Sequence, residues 1–160
     1  MANTKSRVLA GVANIEITYP IGGVAVDAGY TIDGVIWETA TETFDVRVEE
    51  ESMPIERIIT GENVAVTCNC AEGSLFNIDK AIPGAVLAAA TISIGAAAIK
   101  EMTVVITGTT PTGGTRTITL PICTAVGTVS TPYLKSGVQV VPMRFEALKG
   151  AGAGCTIIDT

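Results

Sequence analysis

Alternation of apolar and polar residues is the dominant pattern along the chain. Val8, Val12, Ile15 and Ile17 mark Arg7–Tyr19, and Ile15-Glu16-Ile17-Thr18 alternates as a half-buried strand does. Pro20 to Gly23 is a breaker cluster, followed by the small apolar run Gly22–Ala28. Asp33-Gly34 is a turn signal between Tyr30-Thr31-Ile32 and Val35-Ile36-Trp37. From Thr39 to Val48, Thr41, Thr43, Asp45 and Arg47 fall on one face and Phe44, Val46 and Val48 on the other. The segment Glu49-Glu50-Glu51-Ser52-Met53-Pro54 interrupts the pattern. It resumes over Ile55–Thr60 and again over Asn63–Asn69, with Val64, Val66 and Cys68 on one face. A long β-hairpin over about residues 39–69 is expected, its tip acidic and carrying a proline.

One helix interrupts the strands. Ser74 is placed to cap it, with Glu72 just outside its N-terminus. Leu75, Ile78 and Ile82 recur at helical spacing, Phe76 adds to that face, and Pro83-Gly84 stops it. At two to three turns, such a helix must pack on something to persist. Ala85–Ala98 is small and apolar, with a strand at Thr91–Ile94. Thr103–Thr107 and Arg116–Ile122 flank a turn at Gly113-Gly114. Gln139–Leu148 alternates Val141, Met143, Phe145 and Ala147 against Val140, Arg144 and Glu146, and Pro142 places it at a sheet edge or bulge. A turn at Gly150–Gly154 leads to a final strand over Cys155–Ile158. Strands, one helix, then strands predict a mainly β domain: a β-sandwich or barrel with one short flanking α-helix and a long protruding β-hairpin.

Composition sharpens this picture. With 160 residues the chain fits one domain, 1–160, large enough to bury a core without disulfide or metal. Apolar residues reach 48% but aromatics only 4%, so the bulk is Val, Ile and Ala, with 17 glycines. This favours strands with small side chains. The N-terminal residues carry Lys5 and Arg7 but no secretory signal: they lack the apolar run of about 7–15 residues that a signal needs. The apolar stretch Ile82–Ile99 is broken by Pro83, Gly84, Thr91, Ser93 and Gly95 and is not read as a membrane span. Folding in the cytoplasm is expected.

Net charge −6 disfavours a grip on nucleic acid or anionic membrane, because phosphate contacts need Lys and Arg. The chain has no histidine, which excludes Ser-His-Asp and Cys-His nucleophiles and His-ligated metals. No phosphate-binding glycine motif precedes a helix. A carboxylate-pair hydrolase is not excluded by counting, but eight of the 16 acids fall between Glu38 and Glu62, and Trp37 is the one tryptophan platform. An enzyme is not expected, nor a cofactor. Cys68, Cys70, Cys123 and Cys155 read as reduced core residues, with a four-thiolate zinc site as the alternative.

The hairpin tip has two readings. Glu49-Glu50-Glu51 suits a solvated loop, since like charges repel. It also suits an assembly loop, because Met53, Pro54 and Ile55 want cover at an exposed tip and Arg57 is available to pair across an interface.

The stretch Pro54–Thr67, with Thr60-Gly61-Glu62 leading into an alternating strand, runs on into Ala71-Glu72-Gly73-Ser74-Leu75-Phe76-Asn77-Ile78. It resembles the tail tube (major tail) proteins of tailed bacteriophages, and Val141–Leu148 is similar to that family's last strand. The resemblance covers about Ile15–Ile158. It implies hexameric rings stacked into a hollow tube, with the hairpin around Val48–Ile59 reaching the next ring. An N-terminal arm (residues 1–14) and the C-terminal segment would bridge subunits. Partners would be other copies and other tail proteins, with DNA passing through a negative lumen unbound. The location would be the virion tail, assembled in the host cytoplasm. Other readings are the tube of a contractile injection or secretion system, a virion decoration protein, and a carbohydrate-binding β-sandwich using Trp37.

Overall fold

The computed structural model describes residues 13–95, 98–110, 113–133, 135–150 and 152–160. Among these the chain forms ten strands and one helix. The strands are β1 (Ala13–Thr18), β2 (Ala25–Asp27), β3 (Thr31–Val46), β4 (Glu56–Cys70), β5 (Val86–Ala88), β6 (Thr91–Ser93), β7 (Met102–Thr109), β8 (Thr115–Ala125), β9 (Val141–Ala147) and β10 (Thr156–Asp159); the helix, α1, is Leu75–Ala81. The mainly β class is therefore correct. The expected arm over residues 1–14 lies outside the described residues as far as Val12, as do positions 96–97 of the small apolar run, 111–112 before the glycine turn, and Ala151.

Eight strands form one antiparallel sheet in the order β2-β1-β7-β8-β9-β4-β3, with β10 added to β8; β5 and β6 make a separate small hairpin. The sheet forks along β8. Its first half, Arg116–Thr119, pairs with β10, whereas Cys123–Ala125 pairs with β9. The path also curls, bringing β1 into contact with β3.

The inner face of this curl is the core. Ile15 and Ile17 from β1, Val66, Cys68 and Cys70 from β4, Val104 and Ile106 from β7, Leu120 from β8, and Val141, Met143 and Phe145 from β9 are all buried in one cluster. Each set is spaced by two residues within its strand, because alternate side chains share a face. Phe145 and Leu120 are fully enclosed, and the rest of the volume is filled by branched aliphatics, Met and Cys. The strand readings at Ile15–Thr18 and Gln139–Leu148 match β1 and β9.

Three local expectations change. Asp33-Gly34 does not turn the chain back. Both residues have positive φ (64° and 77°) but lie inside the continuous β3. Ile32 pairs with Asn69 and Val35 with Cys68, so the two residues bulge out of one strand. An insertion of two keeps the inward and outward faces in phase, which leaves Val35 on the core side.

Pro142 lies in β9, an interior strand, opposite Asn69. The Arg144 carbonyl accepts from Val126 N–H at 2.8 Å, so the backbone groups of Arg144 and, two residues earlier, Pro142 point toward the β8 side. The ladder to β8 has ended before that point, beginning only at Phe145. The missing proline N–H thus costs no ladder bond.

The helix begins as expected: the Ser74 hydroxyl accepts from Asn77 N–H at 3.2 Å, and the chain leaves through Pro83 and a positive-φ Gly84 (70°). Its buried face is different. Leu75 is exposed, Phe76 and Ile78 are partly buried, and Asn77, Asp79, Lys80 and Ala81 are buried.

Candidate functional site

The hairpin of β3 and β4 is the feature that projects from the body. Among the described residues, β4 is flanked by β9 only from Ala65 to Cys70, and from Glu56 to Val64 its one neighbour is β3. The eight residues Thr39–Val46 of β3 therefore extend as a two-stranded ribbon, roughly 25 Å long at the usual strand rise. A β-bulge at Thr60, between the Glu42–Gly61 and Thr43–Ile59 pairs, increases its twist.

The ribbon is exposed on both faces. Phe44 lies opposite Ile58 on one face and Thr43 opposite Ile59 on the other. Phe44 is 59% exposed, Ile58 47% and Ile59 57%. The tip places the acids Glu49, Glu50 and Glu51 in solvent, with Met53 76% and Ile55 58% exposed and Pro54 half-buried. The loop is closed by Ile55 N–H donating to the Val46 carbonyl at 3.0 Å and Glu51 N–H to that of Val48 at 3.3 Å.

Arg57 is exposed and paired within its own ribbon. Its Nε donates to Asp45 Oδ1 at 2.6 Å and its Nη2 to Oδ2 at 3.2 Å, a fork across the strand pair one position inside the loop. The hydrogen bond from Arg57 holds the Asp45 carboxyl below the usual range. The structure thus brings six of the seven predicted site residues together on the tip and assigns Arg57 to bracing the ribbon behind them.

Beneath the ribbon runs a groove of about 780 Å³, lined by Trp37, Thr39, Ile59 and Val64 on the hairpin side and by Leu148, Cys155 and others opposite. On the outer face Arg144 bridges strands, with its Nη1 3.2 Å from Glu38 and its Nε 3.3 Å from Glu146.

At the other end of the hairpin, where β4 enters α1, a charged triad is enclosed. Asp79 receives Lys100 Nζ at 2.6 Å and Lys80 Nζ at 2.8 Å, and all three are nearly or fully buried. The Tyr19 ring lies over both ammonium groups, 4.1 Å from Lys80 Nζ and 5.3 Å from Lys100 Nζ. Burial pushes the Asp79 carboxyl up, but the hydrogen bonds from Lys100 and Lys80 outweigh it and leave the group below its ordinary value. The sequence reading missed this triad. A Glu or Asp beside a Lys in a short helix is a common surface pattern, and Lys100 arrives from 21 residues away.

No three His, Cys, Asp or Glu among the described residues converge where they would hold a metal ion, so the four cysteines do not assemble the alternative zinc set. Among the described residues no helix is long and apolar enough to cross a membrane. No protein-family model matches the chain, and no curated protein matches it.

Proposed function

We propose that this protein is a structural subunit that polymerises through its projecting hairpin, and that it forms the hollow tail tube of a tailed bacteriophage. The observation that carries the assembly reading is the ribbon itself. A two-stranded hairpin is marginally stable alone, yet this one presents Phe44, Ile58, Ile59, Met53 and Ile55 to solvent. Apolar surface of that extent on a projecting arm finds its cover in another molecule.

Geometry favours copies of the same chain stacked head to tail. The tip lies at one end of the long β3–β4 pair and α1 at the other. A contact between unlike surfaces at opposite ends is heterologous, and repeated heterologous contacts build open filaments or closed rings. The tail-tube assignment within that class rests on the resemblance of Pro54–Ile78 and Val141–Leu148 to that family. In that reading the subunits form hexameric rings, the rings stack through the hairpin, and DNA passes through a lumen that net charge −6 keeps from binding it.

Negative-stain electron microscopy of the concentrated protein tests the proposal. Hollow tubes or stacked rings are expected. Particles that stay monomeric at every concentration and salt, even when offered pre-formed tube ends, would overturn it.

A further inference from the structure

The most chemically distinctive part of the core is a group of sulfurs. Cys68 and Cys70 are two residues apart on β4, so both side chains enter the core on the same face. Met143 on β9 is the direct cross-strand partner of Cys68. The Cys70 Sγ lies 3.9 Å from the Met143 Sδ. All three residues are at most 2% exposed.

We propose that Cys68, Cys70 and Met143 form a binding site for a monovalent thiophilic cation, Cu(I) in particular. Three sulfurs arranged in a triangle around an ion, with metal–sulfur bonds of about 2.3 Å, stand about 4 Å apart. The Cys70–Met143 separation already has that value. The donor set selects the ion. One thiolate, one neutral thiol and a thioether are soft, and soft ligands favour Cu(I), whereas zinc takes four donors, of which the thioether is a poor one. A dication would also bring more charge into a dry site. Replacing one thiol proton by one Cu(I) leaves the charge of the core unchanged; the proton goes to solvent and no electron moves. Entry would require local opening beside the site, where β4 ends at Cys70 and α1, a helix of seven residues, begins after four intervening residues. So short a helix opens locally more easily than the sheet it covers.

The other thiols serve as internal controls. Cys123 donates to the Met102 carbonyl at 3.2 Å, and burial pushes it up to about 12. Cys155 is half-exposed, so Cys155→Ala is the working background.

The experiment is an anaerobic titration of the reduced Cys155→Ala protein with Cu(I) in competition with a chromogenic Cu(I) chelator, with stoichiometry read by native mass spectrometry. One ion per chain, held against the chelator, is expected. Met143→Leu keeps the core volume and should weaken binding at least as much as the roughly tenfold loss that follows removal of an outer-shell partner. Cys70→Ala should abolish binding, with circular dichroism confirming that the variant is folded. If Cys70→Ala fails to fold, Met143→Leu alone decides. Absence of chelator-resistant Cu(I), or binding unchanged by Met143→Leu, would overturn the site and leave the sulfurs as core filling. The result does not depend on whether the protein forms tubes.

Discussion

Asp79→Asn tests the physics of the buried triad. The substitution keeps the side-chain volume and removes the one negative charge between Lys80 and Lys100, whose ammonium groups are 2.8 and 2.6 Å from the carboxylate. Both lysine side chains are 7% exposed and Asp79 is 1% exposed, so water cannot take over the lost partner in place. Removing one member of such a buried pair costs about 3–5 kcal/mol, because the remaining charges are left uncompensated. At about 2–4 °C per kcal/mol for a chain of this size, Tm should fall by roughly 6–20 °C. Thermal unfolding at pH 7, followed by circular dichroism, measures it. The companion variant Asp79→Leu/Lys80→Met/Lys100→Met removes all three charges together and should fall far less, since apolar replacement of a whole buried cluster is often neutral or better. A drop of under about 2 °C for Asp79→Asn would refute the reasoning. It would mean that the lysines swing out to solvent and that the enclosed triad contributes nothing. A triple variant as unstable as the single one would assign the loss to packing rather than charge.

The same carboxylate sets a pH dependence. Its folded value lies below its unfolded value, so its stabilisation is complete above about pH 4 and is lost as pH falls through the folded value. The stability gap between the native chain and Asp79→Asn should therefore close on acidification below pH ~4, as followed by urea unfolding at stepped pH. Ser74→Ala removes the acceptor for Asn77 N–H and should cost about 1 kcal/mol, read from the urea midpoint at unchanged slope. Met53→Glu with Ile55→Glu alters two exposed tip residues. It should leave monomer stability within about 0.5 kcal/mol while abolishing tubes in electron micrographs. Tubes that persist would remove the tip from the assembly contact.

Much of the fold is legible in local pattern. Ile15 and Ile17, and Val141, Met143 and Phe145, alternate with polar residues, and the strand period of two places them inward wherever the strand lies. Ser74 and Pro83-Gly84 bound the helix because capping and stopping are chemistry of adjacent residues. The limits of the hairpin loop follow from the charge and proline of Glu49–Pro54, which interrupt the alternation.

What stayed hidden shares one cause, dependence on a distant partner. Asp33-Gly34 suits a hairpin turn and a strand bulge equally; pairing with β4 on both sides makes it a bulge. Arg57 reads as a free cation until the hairpin register puts Asp45 opposite it. The helix reads as burying Leu75, yet its position over β9 and the arrival of Lys100 turn Asp79 and Lys80 inward instead. Cys70 and Met143 meet across 73 residues through the β4–β9 register. Side-chain period, caps and breakers act over a few residues and are written in the chain. Register, the curl of the sheet and the pairing of buried charges depend on which segments meet, and that is settled only when the whole core closes at once.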